Sequence, residues 1–263
     1  MNDESSVLFL NEGQVVTVTL NRPSALNALN DAMARELLAA AQKIRTLPEV
    51  RVVVLRGAGV SFCGGGDVAA MHANRDDMTG FIVRLMDKFH ASLLVLRRLP
   101  VPVIASVQGA AAGGGFSLAM ACDLVIASRS ARFVAAYPRL GTTADGGLSF
   151  SLTQRLGPKL GLEALTLQDS LGAERAAALG LVNRVVDDEL LEQETAAWAR
   201  RLCDLPVQSV AGLKGLVAAQ ADAAFAAHLD LEKAAFIRCA ATPDFADRVA
   251  AFAAKASARA ARS

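Results

Sequence analysis

Histidine is scarce in this chain: His72, His90 and His228 are the three present, far apart and without an H-E-x-x-H. That spacing gives no cluster for a protein-held metal, and none is expected. The four cysteines, Cys63, Cys122, Cys203 and Cys239, contain no C-x-x-C pair. They read as small core residues in a reducing cytoplasm. Net charge is also lacking, since 27 basic against 26 acidic side chains leave +1. No field exists to steer nucleic acid or an acidic membrane, and neither partner is expected. No G-K-[ST] occurs, which removes a P-loop. A dinucleotide fingerprint sought in GAGVSF fails because Phe62 holds its third glycine position. The first residues, MNDESSVLF, have no basic stretch leading into an apolar one, so no signal peptide is expected.

The longest gap is in charge, from Leu99 to Cys122. Its length would cross a bilayer. Pro100, Pro102, Gln108 and three consecutive glycines interrupt it, so it reads as buried strand, loop and buried helix. The chain as a whole is 53% hydrophobic over 263 residues, which excludes disorder and allows a sizeable core.

Elements follow from pattern. VLFL and VVTVTL flank the polar turn NEGQ and read as a hairpin. Asn30 or Asp31 can cap a helix running to about Leu47. VRVVVLRG and VPVIASV are continuous apolar strands of the kind buried on both faces. Phe81, Ile82, Leu85, Met86, Phe89 and Leu93 recur at helical spacing before Pro100. DLVIAS and GLVNRVV read as further strands, Pro158 and Pro206 suit helix starts, and the chain from about Asp188 is helical. Strands alternating with helices predict an α/β body with a helical C-terminal part.

Two places share one design: a buried strand, a glycine cluster and a helix start, at Gly64–Gly66 and Gly113–Gly115. First-turn N–H groups lack partners and favour negative charge, and glycine admits a ligand atom close to them. Two such N–H groups can converge on one developing oxyanion, each worth roughly 3 kcal/mol in a transition state. A competing motif is GFSLA, which departs from the G-x-S-x-G nucleophile elbow at Ala119. Ser117 as an esterase nucleophile would have only His228 downstream, and it reads instead as a small helical residue.

The segments FCGGGDV, QGAAAGGGFSLAMACDLVIAS, ARFVAAYPRLGTTADGG, QRLG and AAALGLVNRVV resemble the enoyl-CoA hydratase/isomerase (crotonase) superfamily. The likeness covers nearly the whole chain, from LNRPSALNAL onward. It implies a crotonase-like spiral of ββα repeats over residues 1–200, holding the acyl-CoA site. It implies a helical trimerisation region over 201–263, with trimers that often pair into hexamers. No cofactor is implied beyond coenzyme A, which belongs to the thioester substrate. By motif position, the two oxyanion donors are the Gly66 and Gly114 amides.

What stands beside those donors sets the reaction. Typical hydratases place two glutamates where this chain has Ser117 and Tyr137, so efficient hydration is not expected. Asp67 and Asp123 read as capping or turn residues. Asp145, in TTADGG, matches an aspartate in the PDxGG segment of isomerase relatives such as 1,2-epoxyphenylacetyl-CoA isomerases; Ala144 replaces the proline. One carboxylate suffices for a double-bond shift, and an apolar pocket makes it a better base. Its plainer reading is a cap for a helix starting at Gly146. The resemblance places Tyr137, Leu140, Ser117, Met86, Phe81 and His90 around the acyl group. 4-Chlorobenzoyl-CoA dehalogenase is similar in carrying both the aspartate, there a nucleophile, and the histidine. Coenzyme A is expected against Ala25, Leu26, Ala28 and Gly64, with Phe252 and Lys255 reaching it from the same or a neighbouring subunit. Isomerase is the favoured reading; weak hydratase, dehalogenase-like enzyme and non-catalytic acyl-CoA binder are the alternatives.

Overall fold

The computed structural model describes residues 5–219 and 221–260. In chain order the elements are β1 (Val7–Glu12), β2 (Val15–Leu20), α1 (Asp31–Ile44), β3 (Val52–Gly57), α2 (Val68–Ala73), α3 (Met78–Arg97), β4 (Val103–Val107), β5 (Ala110–Ala112) and α4 (Gly114–Ala121). There follow β6 (Leu124–Ser128), β7 (Arg132–Val134), α5 (Leu148–Thr166), β8 (Leu171–Gly172), α6 (Ala173–Ala178) and β9 (Arg184–Val186). Four helices close the chain: α7 (Leu191–Cys203), α8 (Val207–Ala218), α9 (Asp222–Ala240) and α10 (Pro243–Ala260).

The expected hairpin is β1–β2, antiparallel, with Glu12 opposite Val15. It opens a six-stranded sheet in the order β1-β2-β3-β4-β6-β9, every later pairing being parallel. The continuous apolar runs have the expected cause. Alternate residues point to opposite faces: Val53, Leu55, Val103 and Ala105 enter the main core, whereas Val52, Val54, Ile104 and Ile126 meet Leu191 and Ala199 of α7. A strand covered on both sides has no polar face to show.

Asn30 caps α1 by accepting the Met33 N–H at 2.9 Å, a contact typically worth ~1 kcal/mol. The helix ends at Ile44, one turn short of the expected limit. The uncharged Leu99–Cys122 run resolves into β4, β5 and α4, and no helix among the described residues is long and apolar enough to cross a membrane. Pro158 follows Gly157, which breaks the helical path of α5, and Pro206 stands at the boundary of α8. A second sheet, β5-β7-β8, was not expected; strands of two or three residues are too short to leave a period.

Asp67 caps α2 through the Ala70 N–H, and pairs with Arg22 at 2.9 Å. Asp123 caps no helix: its Oδ2 accepts the Val103 N–H and the Lys214 ammonium, both at 2.7 Å. Helix α10 folds back onto α2 and the Tyr137–Leu140 turn of its own chain, with Phe245 and Val249 fully buried. Cys63 and Cys122 are buried, while Cys203 and Cys239 are only partly so.

Candidate active site

Both glycine clusters lie beyond the C-terminal ends of adjacent parallel strands, Gly64–Gly66 after β3 and Gly113–Gly115 after β4. Strand ends of this kind are where open parallel sheets take ligands. The two segments are stitched together by main-chain bonds, Phe62 N–H to Gln108 O at 2.8 Å, Cys63 N–H to Ala110 O at 3.0 Å and Ala112 N–H to Cys63 O at 2.9 Å. Amide side chains tie down the loop before them: Gln108 donates to Gly57 O, and buried Asn27 donates to Ala58 O and Ser61 O.

Contact at the glycines is close. A Cβ on Gly65 would stand 2.8 Å from Ala112 O and 3.6 Å from Gly113 Cα, and one on Gly115 would stand 2.2 Å from Cys63 O. Only glycine permits that approach.

Around Gly66 the neighbouring groups are spent. Gly64 N–H goes to Leu26 O, Gly65 O accepts Leu29 N–H, and Asp67 N–H goes to Leu29 O. Around Gly114, Gly113 N–H goes to Val134 O and Ser117 N–H to Gly113 O. The Gly66 N–H has no acceptor among the described residues, and Gly114 opens α4, where an N–H has no acceptor within its helix. Two free donors therefore stand on adjoining segments. Leu29, Met71 and Phe89 crowd them: a Cβ on Gly114 would meet Leu29 Cδ1, and one on Gly66 would meet Met71 Cε, each at 2.7 Å. Sequence reasoning named none of the three for this role.

Asp145 is buried beside this floor, with its Oδ1 2.6 Å from His90 Nε2. Burial alone would push the His90 imidazole down. The hydrogen bond and charge of Asp145, with the charge of Glu232, outweigh it and leave His90 above its ordinary value. No described group bonds Asp145 Oδ2. The capping expectation for Asp145 fails: α5 begins at Leu148, and its first-turn amides go to Glu232 instead.

Ser117 and Tyr137 are turned inward to one shared task. The Ser117 hydroxyl donates to the main-chain carbonyl of Asp145 at 2.6 Å, the Tyr137 hydroxyl reaches the same oxygen at 3.0 Å, and the two hydroxyls are 2.9 Å apart. Burial, then the nearby Asp145 charge, pushes the Tyr137 phenol well above its usual range. Ser117 lies inside α4, with no histidine within hydrogen-bond distance, so the nucleophile-elbow reading has no base. Met86 and Phe81 are buried on α3, and Leu140 packs partly buried against the same core.

The remaining expected residues divide. Ala25, Leu26 and Ala28 form a tight turn held to Gly64 through Leu26 O, with Ala28 O bonded by Arg22. Phe252 is exposed on α10, as is Lys255, and that helix packs on α2 of its own chain.

The sequence profile of the enoyl-CoA hydratase/isomerase family matches residues 11–259. The chain belongs to that family. It is 34% identical to the 1,2-epoxyphenylacetyl-CoA isomerase of Escherichia coli (strain K12), over 94% of each chain. It is 36% identical to a probable enoyl-CoA hydratase of Rhodobacter capsulatus, over 92% of each. A crystal structure of an enoyl-CoA hydratase from Mycobacterium avium subsp. paratuberculosis superposes with a TM-score of 0.86 at 29% identity, covering 95% of this chain and all of that one. Membership fixes an acyl-CoA enzyme with the crotonase fold. Relatives named for isomerisation and for hydration both occur, so the reaction must be read from the site.

Proposed function

We propose that this family member is an enoyl-CoA isomerase, in which Asp145 moves a proton along the acyl chain while the Gly66 and Gly114 amides hold the thioester oxygen. One observation carries the reading: one carboxylate with a free oxygen, Asp145 Oδ2, serves a site whose two hydratase-glutamate positions hold Ser117 and Tyr137. Isomerisation needs only one such group. Oδ2 takes a proton from the carbon between the thioester carbonyl and the double bond. The charge passes into a dienolate whose oxygen meets the two N–H donors, and the same proton returns at the far carbon. The burial around Leu29, Phe89 and Tyr137 keeps water from competing for that intermediate.

Hydration, by contrast, requires a pair of groups to hold and polarise a water, and the hydroxyls standing there are committed to Asp145 O. Coenzyme A is assigned to the main chain around Ala25, Leu26, Ala28 and Gly64, with Lys255 offering a cation to a phosphate and Phe252 an apolar surface. Self-association is proposed as well: α8 buries no residue, and Leu213, Leu216 and Val217 are exposed along it, which suits packing on further copies as a trimer or hexamer.

The test is to supply 3-enoyl-CoA and follow conjugation in the ultraviolet. D145N is expected to lose about 10²–10⁴-fold in kcat, and full activity in that variant removes the assigned role. Asp145, free at Oδ2, also suits a second reading, in which it attacks an aryl carbon, chloride leaves, and water hydrolyses the resulting aryl ester. Chloride released from 4-chlorobenzoyl-CoA would support that chemistry, and tight binding without turnover of any acyl-CoA would indicate a binder.

A further inference from the structure

Glu232 is a buried carboxylate that the isomerase reading leaves unused. It stands on α9 in an apolar stripe with Phe225, Leu229, Phe236 and Ala240, where a charge is costly unless fully bonded. Its Oε2 accepts the Gly147 N–H at 2.6 Å, and its Oε1 accepts both the Ser149 N–H, at 2.9 Å, and the Ser149 hydroxyl, at 2.5 Å. Those amides open α5, whose boundary residue Gly147 brings no capping side chain. The clamp thus comes from 85 residues along the chain and closes two residues after Asp145.

A neutral cap would satisfy those N–H groups at a smaller desolvation cost. Burial pushes the Glu232 carboxyl above its usual range, the nearby Asp145 charge adds to that, and the bonds from Ser149 and Gly147 work against it. His228 stands beside the clamp, its Nε2 3.8 Å from Glu232 Oε1 and 2.7 Å from the Ser149 hydroxyl oxygen, while Lys233 is paired with Asp87 of α3. Asp145 Oδ1 is bonded by His90, so the clamped turn carries an acid already oriented on one side.

We propose that Glu232 is a positioning residue for proton transfer: it clamps the turn that aims Asp145. This rests on Asp145 being the acid/base. The test uses the full chain and the kinetics with 3-enoyl-CoA, read as kcat and KM separately. In E232Q, which offers one acceptor oxygen where three donors stand, kcat is expected to fall on the order of tenfold with KM held. E232D, which keeps both oxygens but shortens the reach, is expected to show the same split. Wild-type kcat in E232Q would overturn the proposal. Should E232Q fail to fold, E232D decides: lowered kcat with KM held supports the clamp, and unchanged kcat overturns it. Full activity in D145N would sink the acid/base reading, whereas an inactive D145N beside a wild-type E232Q would sink the clamp alone.

Discussion

His90 Nε2 and Asp145 Oδ1 stand 2.6 Å apart, both side chains buried, and this pair joins the long helix α3 to the turn that opens α5. The contact has a pH signature. His90 is raised from an ordinary value of 6.5, so folding favours the protonated ring. Its stabilisation is complete below about pH 6.5 and disappears as pH rises through the higher folded-state value. The melting-temperature gap between wild type and His90→Asn should therefore narrow as pH is raised from about 6 to about 9. A gap independent of pH would mean the ring is neutral when folded.

The glycine clusters give a contrast within a few residues. Gly115→Ala drives a Cβ to 2.2 Å from the Cys63 carbonyl oxygen. Backbone cannot step aside, so a loss of about 2 kcal/mol or more is expected, with activity reduced because the two donor segments are forced apart. Gly66→Ala meets only the mobile end of Met71 at 2.7 Å, and its stability cost should stay under about 1 kcal/mol. Denaturant unfolding of both variants checks the order; equal costs would mean the segments are not in the contact described.

Ser117 and Tyr137 share one acceptor, the main-chain carbonyl of Asp145. Either Ser117→Ala or Tyr137→Phe leaves that oxygen one partner, and each should cost about 1 kcal/mol. The double variant orphans a buried carbonyl and should cost more than the two singles added, by a coupling of about 0.5 kcal/mol or greater. Simple additivity in a double-mutant cycle would refute the shared role. A fluorophosphonate probe should leave Ser117 unlabelled.

Hydration offers a further discriminator. With 2-enoyl-CoA, the wild-type hydration rate should lie on the order of 10²-fold or more below isomerisation of 3-enoyl-CoA, because the paired water-holding groups are replaced. Comparable rates for the two substrates would contradict the isomerase assignment.

The parallel strands, the long helices and both glycine turns were legible in the sequence because each is either a sustained period or a backbone-specific residue. VRVVVLRG reads as a strand covered on both faces, and Asn30 or Asp31 could cap the next helix, of which the structure uses Asn30. β5, β7 and β8 left no trace, since two or three residues make no pattern and their pairing is set by the turns around them. Gly66, Gly114 and Asp145 were placed at the candidate site by motif position. The partner of Asp145 was not, because His90 lies 55 residues earlier and its approach depends on how α3 crosses the turn. Glu232 was missed although a signal existed: it falls on the helical stripe Phe225, Leu229, Phe236 and Ala240, where a lone carboxylate marks a buried bond to be found. Leu29, Met71 and Phe89 look like any core residues until the glycines are seen against them.

The most direct measurement is a crystal structure with a non-reactive 3-enoyl-CoA analogue bound. The expected result is a thioester oxygen about 3 Å from both the Gly66 and Gly114 nitrogens, with Asp145 Oδ2 facing the carbons between which the proton moves. A thioester oxygen beyond reach of either nitrogen, or an acyl chain running past the face opposite Asp145, would contradict it.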